Sequence, residues 1–171
     1  MKKSTRKLYT IVTLYLICAT SLSAQAAFFV DDILNEEIAS FGRVVHLTLS
    51  SAELVADSKV STFLESEMVG FPNSTLSVIT LSALADQGWG IEIKERGAPI
   101  TLGEFAYIVM RAFDLPGGVM YSLFPGPRYA ARELAYLGLI PGNSSPYRLI
   151  SGDEVVQVLG FALNFVQAQR A

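Results

Sequence analysis

Five residues near the C-terminal end of the sequence have side chains suited to binding a sugar or a carboxylate: Arg128, Tyr129, Arg132, Tyr147 and Arg148. An arginine offers paired N–H donors to a carboxylate, and a tyrosine ring offers a flat apolar face. The sequence therefore indicates a candidate binding groove built from these five residues. The alternative interpretation is that they are surface residues without a ligand.

Catalytic chemistry has much less support. The only histidine is His46, which lies in the apolar stretch RVVHLTL, where a partly buried histidine with its hydrogen bonds satisfied is expected rather than a general base. A Ser-His-Asp triad would have to use His46, and no set of the usual zinc ligands is present. We therefore expect no enzyme activity, metal or cofactor. A small exported hydrolase that acts through paired carboxylates is the alternative.

Three helix starts with the pattern S/T-x-x-E are predicted. The pairs are Ser50 with Glu53, Thr101 with Glu104, and Ser151 with Glu154. In this capping box the hydroxyl accepts a hydrogen bond from the amide three residues on, and the Glu accepts one from the amide of the cap residue. Apolar residues stand before each cap and four residues after it, as in a hydrophobic staple. The near-even spacing of the three pairs indicates an internal repeat.

A second landmark marks helix ends at the same spacing. The residues Leu84, Ala85 and Gly88 recur fifty residues later as Leu134, Ala135 and Gly138. A glycine that can adopt the left-handed conformation typically ends a helix. The helices are therefore predicted to run to Gln87 and, from Pro127, to Leu137, and Gly42 is interpreted as a weaker third copy that ends a helix over about residues 32–41.

The predicted fold is mainly α, with three pseudo-repeated helix-loop-helix units of about 50 residues forming one helical bundle. The units span about 31–70, 71–120 and 121–171. The last helix is apolar on most sides, so it is predicted either to be central or to be covered by a partner. A short strand within residues 90–100 is a minor alternative.

The first 26 residues are predicted to be a secretory signal peptide. Residues 1–7 carry four positive charges, and the apolar run that follows is shorter than the roughly 20 residues a membrane span needs. Cleavage is expected after Ala26 or Ala24, which leaves a single domain over 27–171 with no membrane span. Retention as an anchor and lipidation at Cys18 are the alternatives.

The predicted mature chain is acidic and has no cysteine. Removing the signal peptide takes four of the 13 Lys and Arg and none of the 16 Asp and Glu, so the rest of the chain has a net charge of −7. Nucleic acid and anionic lipid favour clusters of basic residues, so neither is an expected partner. Export without disulfides is also implied.

The stretch from Leu123 to Leu159 resembles the S-layer homology module. Phe124 matches the opening Phe of that family, residues 138–142 match its helix-ending turn, Tyr147 its loop aromatic, and residues 150–154 its capped start of a second helix. Residues 74–115 are a looser copy and residues 31–60 a very loose one. The resemblance implies three units in a pseudo-threefold bundle that covers almost the whole mature chain.

The same resemblance implies a non-catalytic module that binds cell-wall polysaccharide or peptidoglycan. The sequence departs from the family at the position after each predicted cap, which is usually Arg and is here Ser51, Leu102 or Gly152. The Asp that usually follows the opening Phe is also absent. We therefore expect an exported scaffold or binding module in the periplasm or cell envelope of a bacterium, with a cell-wall glycan or another envelope protein as its partner.

Overall fold

The computed structural model is mainly helical and describes residues 30–31, 33–53 and 74–170. Its helices are α1 (Phe41–Ser51), α2 (Ser74–Asp86), α3 (Leu102–Ala112), α4 (Val119–Leu123), α5 (Pro127–Tyr136) and α6 (Gly152–Arg170). The predicted signal peptide lies outside the described residues, as do residues 54–70 of the predicted first unit and 71–73 of the predicted second unit. In the described ranges no helix is long and apolar enough to cross a membrane.

Helix α3 forms the centre of the fold. Residues 102, 103 and 105–110 are all buried, because apolar side chains occupy every side of this helix except the one around Glu104. Helix α3 packs against α1 and α5, and α1 also packs against α2 and α6. The core therefore surrounds α3, with Phe105 among its largest fully buried side chains.

The prediction that the last helix is central is wrong. Helix α6 buries Gly152, Val155, Val158, Leu159 and Ala162, which lie in its first eleven residues. Its second half is more open: Phe161 is 40% exposed, and residues 167–170 are all exposed. The apolar residues on its other sides are therefore at the surface of the described structure.

The predicted capping box at Thr101 is confirmed. The amide of Glu104 donates to Thr101 Oγ1 at 3.4 Å, and the amide of Thr101 donates to Glu104 Oε2 at 2.9 Å. At Ser151 only half of the box forms. The amide of Glu154 donates to Ser151 Oγ at 3.3 Å, while the Glu154 carboxylate is bound by Arg148.

The predicted cap at Ser50 is wrong, because Ser50 lies in the last turn of α1 rather than before a helix. Glu53 follows that helix with a φ of 57°, so it is not the third residue of a helix. The apolar stripe of α1 explains why a helix covers this segment and does not begin at Ser50. Its buried residues 41, 44, 45, 48 and 49 have helical spacing. The N-cap of this helix is Ser40, whose amide donates to Glu36 Oε2 at 3.0 Å.

The predicted helix ends at Gly88 and Gly138 are confirmed. Their φ values are 63° and 72°, in the left-handed region that glycine adopts without strain. The third predicted end, at Gly42, is wrong because Gly42 is the second residue of α1. Residues 90–100 contain no strand; Ser40 pairs with Pro99, and Thr101 with Leu149, as isolated antiparallel bridges.

The segments that lead into α1, α3 and α6 are hydrogen-bonded to one another in a closed cycle. We call these segments, residues 36–43, 94–104 and 146–154, the three junctions. Gly42 N–H donates to Arg96 O at 2.9 Å, Gly103 N–H to Pro146 O at 2.8 Å, and Gly152 N–H to Glu36 O at 3.0 Å. Each junction therefore donates to the next, and the third donates back to the first.

The residues before the three caps lie at the middle of this cycle. They are Ala39, Ile100 and Ile150, which are at most 1% exposed. Ala39 N–H donates to Ile150 O at 2.8 Å, and Ile100 N–H donates to Ala39 O at 3.2 Å. The junctions thus meet through backbone hydrogen bonds around a buried apolar centre, which fixes where α1, α3 and α6 begin.

Candidate functional site

Two of the predicted binding residues lie on the solvent face of α5. Arg128 and Arg132 are one helical turn apart and are exposed. The next residue on that face is Tyr136, which is 87% exposed. Ala130, Ala131 and Leu134 bury the opposite face. The helix therefore presents two guanidinium groups and a phenol ring in one row, and Tyr136 is a member that the sequence analysis missed.

The third junction places Tyr147 next to the start of α5. It is 77% exposed. The carbonyl oxygens of Pro146 and Pro127 both lie within 3.1 Å of the point where a Cβ on Gly103 would stand. Because these prolines directly precede Tyr147 and Arg128, the structure brings the two parts of the predicted groove close together at the backbone.

The remaining two residues of the predicted groove serve the fold. Tyr129 is partly buried and packs against the core. Arg148 binds the carboxylate of Glu154 through both Nη atoms, with Nη1 donating to Oε2 at 2.7 Å, and its Nε donates to Asn143 O at 2.6 Å. The hydrogen bonds to Glu154 raise the pKa of Arg148. Arg148 therefore orders its loop instead of offering its donors to a ligand.

In each junction an ion pair joins the start of the helix to the loop before it. The third residue of the helix pairs with a residue of the preceding loop: Glu104 with Lys94 at 2.5 Å, Glu154 with Arg148, and Arg43 with Glu36 at 2.7 Å. In the first junction the two charges are exchanged. Burial raises the pKa of Glu104, but hydrogen bonds from Lys94 and Thr101 outweigh it and the net pKa is lowered.

A second group of polar aromatic side chains surrounds the end of α3. Tyr107 Oη donates to Trp89 O at 3.1 Å, and the Arg111 guanidinium lies over the Trp89 ring at 5.9 Å from its centroid. The Tyr121 ring meets that of Tyr107 edge to face at 6.2 Å. No local spacing signals this group, because its members come from a loop, α3 and α4.

Helix α4 also carries an exposed apolar face. Val119, Met120, Leu123 and Phe124 are each more than half exposed, whereas Tyr121 points inward. At 100° per residue Val119, Met120 and Leu123 occupy one continuous arc of the helix, and Phe124 directly follows it. Contiguous exposed apolar surface of this kind is typical of protein contact sites.

Three of the acidic side chains in the described part of the chain serve the fold. Glu36, Glu104 and Glu154 are each engaged by a cation and a helix start. No group of three or more His, Cys, Asp and Glu residues suited to a metal ion occurs within 33–53 and 80–170. His46 is in α1, and its Nδ1 lies 2.8 Å from Thr80 Oγ1 in α2. This histidine joins two helices of the core.

Stability should therefore depend on pH through His46. Burial lowers the pKa of His46 below its usual 6.5, so the unfolded chain binds a proton more readily than the folded one. The contribution of neutral His46 to stability is complete above pH 6.5. It is lost as the pH falls from 6.5 through the lower pKa that His46 has in the folded protein. We expect the free energy of unfolding, measured with urea, to decrease over that interval.

The variant His46→Gln is the matched control for this titration. Glutamine can still hydrogen-bond to Thr80 but does not titrate, so the difference in stability between the two proteins should vary between pH 7 and pH 5. Parallel pH profiles for the two proteins would contradict a role for His46.

The chain matches no known protein-family model, and no curated protein or solved structure has significant similarity to it.

Proposed function

We propose that this protein is an exported, non-catalytic cell-envelope module with a degenerate S-layer-homology-like architecture, and that it binds a cell-wall glycan. The observation that carries the proposal is the closed cycle of three junctions, each with a helix N-cap and an apolar residue before the cap. Internal repetition of the sequence would explain why three similar helix starts meet in one cycle.

The ion pairs support the repetition. In all three junctions the third helical residue is charged and pairs with a charged residue of the preceding loop. In the first junction the acidic residue is in the loop (Glu36) and the basic residue is in the helix (Arg43), the reverse of the other two junctions. The ion pair is kept although both residue types differ. With Ser40 as the first cap, the three helix starts lie at Ser40, Thr101 and Ser151, so the first interval is longer than the second and includes residues outside the described ranges.

The exposed row on α5 is the proposed glycan-binding face. Arg128 and Arg132 supply charged donors for sugar or peptide carboxylates, and the rings of Tyr136 and Tyr147 supply flat apolar faces for sugars. Two adjacent exposed arginines on one helix face stand out in a chain with more acidic than basic residues. The family's usual Arg after each cap is replaced here, so the proposal places the basic contacts on α5.

Sedimentation with purified peptidoglycan sacculi tests this function. We expect the protein purified from cells that express the full chain to sediment with sacculi, and Arg128→Gln/Arg132→Gln to weaken the apparent affinity by at least about tenfold. Arg128→Lys/Arg132→Lys keeps the charge and removes the paired donors, so an intermediate loss is expected.

Other outcomes point elsewhere. Affinity that is unchanged in the Arg128→Gln/Arg132→Gln variant would contradict the proposed face. Release of soluble sugar fragments would favour the carboxylate hydrolase. No sedimentation would favour a protein partner, and the apolar face of α4 would then be the first surface to map.

A further inference from the structure

Helix α2 is attached to the rest of the fold mainly through α1. Of the described helices, α1 is the one against which α2 packs closely, whereas α3 packs against both α1 and α5. In the described part of α2, Thr80 and Leu84 are at most 2% exposed, so the helix has a buried side. The cycle of three junctions contains no residue of α2, so its backbone hydrogen bonds do not depend on this helix.

A titratable side chain lies at the contact between these two helices. His46 in α1 is partly buried, and its Nδ1 is 2.8 Å from Thr80 Oγ1 in α2. A neutral imidazole suits such a position, because one ring nitrogen donates a hydrogen bond and the other accepts one. The imidazolium adds a positive charge, which costs free energy away from water. Protonation of His46 therefore weakens the contact between α1 and α2.

The charged groups around this contact do not compensate for a protonated His46. On α1, Arg43 is one turn before His46 and is bound to Glu36. Asp86, the only ionisable residue of α2, is exposed at its C-terminal end, about 9 Å along the helix axis from Thr80. The net effect of burial and charge is a lowered pKa for His46. The other ionisable residues on described segments that follow α1 or pack against it are Glu53, Lys94, Arg96, Glu104, Tyr107, Arg111, Asp153, Glu154 and Arg170.

We propose that the contact between α1 and α2 is a pH-sensitive switch, in which protonation of His46 below pH 6.5 releases α2 from α1 while the rest of the described fold stays intact. This is a local opening rather than global unfolding. It differs from a general loss of stability because α2 opens at a lower cost in free energy than the core around α3 does.

The rest of the fold keeps its own contacts when α2 is released. Helix α1 is held by α3 and α6 and by the hydrogen bond from Phe41 N–H to Ala98 O at 2.8 Å. Beyond α2, the chain is held where Tyr107 Oη donates to Trp89 O at 3.1 Å. Gly88 lies between α2 and this point with a φ of 63°, so it serves as a hinge without strain. The switch involves no residue of the α5 face, so it does not depend on the proposed function.

Hydrogen exchange of single backbone amides, followed by NMR on the protein purified from cells that express the full chain, tests this switch. Protection factors, corrected for the intrinsic pH dependence of exchange, are compared for residues 80–86 of α2 and 105–110 of α3. At pH 7 we expect α2 to be protected about tenfold less than α3, or weaker still, because α2 exchanges through the local opening.

The same amides report the titration of His46 when the pH is lowered. An exposed histidine has a pKa of 6.5, so linkage limits the increase in the opening of α2 between pH 7 and pH 5 to about 25-fold. We expect the protection of α2 to fall by about fivefold to 25-fold over this interval. The proposal is overturned if α2 and α3 are equally protected, or if the protection of α2 does not fall.

Two variants separate the titration from a general weakening of α2. In His46→Gln the hydrogen bond to Thr80 is kept and the charge change is removed, so the protection of α2 should be the same at pH 7 and pH 5. Leu84→Ala removes buried apolar contacts of α2 and keeps His46, so it should lower protection at both pH values and leave their ratio unchanged. A fall in His46→Gln as large as in the parent protein, or an altered ratio in Leu84→Ala, would refute the role of His46.

Discussion

Replacing Gly152 with alanine should lower the free energy of unfolding by about 3 kcal/mol, at the upper end of the usual range for overpacking. A Cβ at this position would overlap the carbonyl oxygen of Ile33 and stand 2.7 Å from its carbonyl carbon. The colliding atoms are backbone, so no rotamer change relieves them. Gly152 N–H also donates to Glu36 O, so the same displacement would open the cycle of junctions.

Gly160→Ala is the matched control, because it makes the same change in the same helix. No atom lies within 4 Å of a Cβ built on Gly160, so alanine should stabilise the protein by about 0.5–1 kcal/mol through helix propensity. Urea unfolding of both variants measures the contrast. Equal stabilities for Gly152→Ala and Gly160→Ala would mean that α6 does not approach residues 33–36 as described.

The second large effect is expected at the centre of the core. Phe105→Ala should cost about 3–5 kcal/mol, since it removes a fully buried ring and leaves a cavity beside it. Phe105 is the fourth residue of α3, where it completes the staple with the buried Ile100. Thermal or urea unfolding of the variant measures this loss.

Phe161→Ala tests whether the loss at Phe105 reflects its central position. Phe161 lies on α6 and is 40% exposed, so the same truncation should cost only about 1–2 kcal/mol and leave no closed cavity. Similar losses at Phe105 and Phe161 would contradict the finding that α3 is the central helix.

Local sequence signals predicted the elements whose determinants are local. The Thr101–Glu104 box and the glycine ends at Gly88 and Gly138 depend on residues within one turn, so the pattern was sufficient. The S-x-x-E match at Ser50 failed because it competes with the apolar stripe that starts at Phe41. That stripe is itself visible in the sequence and was the stronger signal, since burial of a whole face outweighs one cap.

The candidate sites were only partly predictable for the same reason. Exposure of Arg128 and Arg132 follows from helix periodicity, and Tyr136 could have been added by the same rule. The pairing of Arg148 with Glu154 depends on the backbone conformation of the third junction, which brings the loop residue Arg148 to the start of α6. The group formed by Trp89, Arg111 and Tyr121 depends on tertiary packing of three separate segments, which no spacing within the chain encodes.

The reversed charges of the first junction bear on how the chain avoids folding incorrectly. Three similar helix starts compete for three similar loops, and a helix that joined the wrong loop would satisfy many of the same backbone hydrogen bonds. If α1 docked on the loop of another junction, Arg43 would face Lys94 or Arg148, and if α3 or α6 took its place, Glu36 would face another carboxylate. Like charges then penalise exchange between the first segment and the others, within one chain or between two copies.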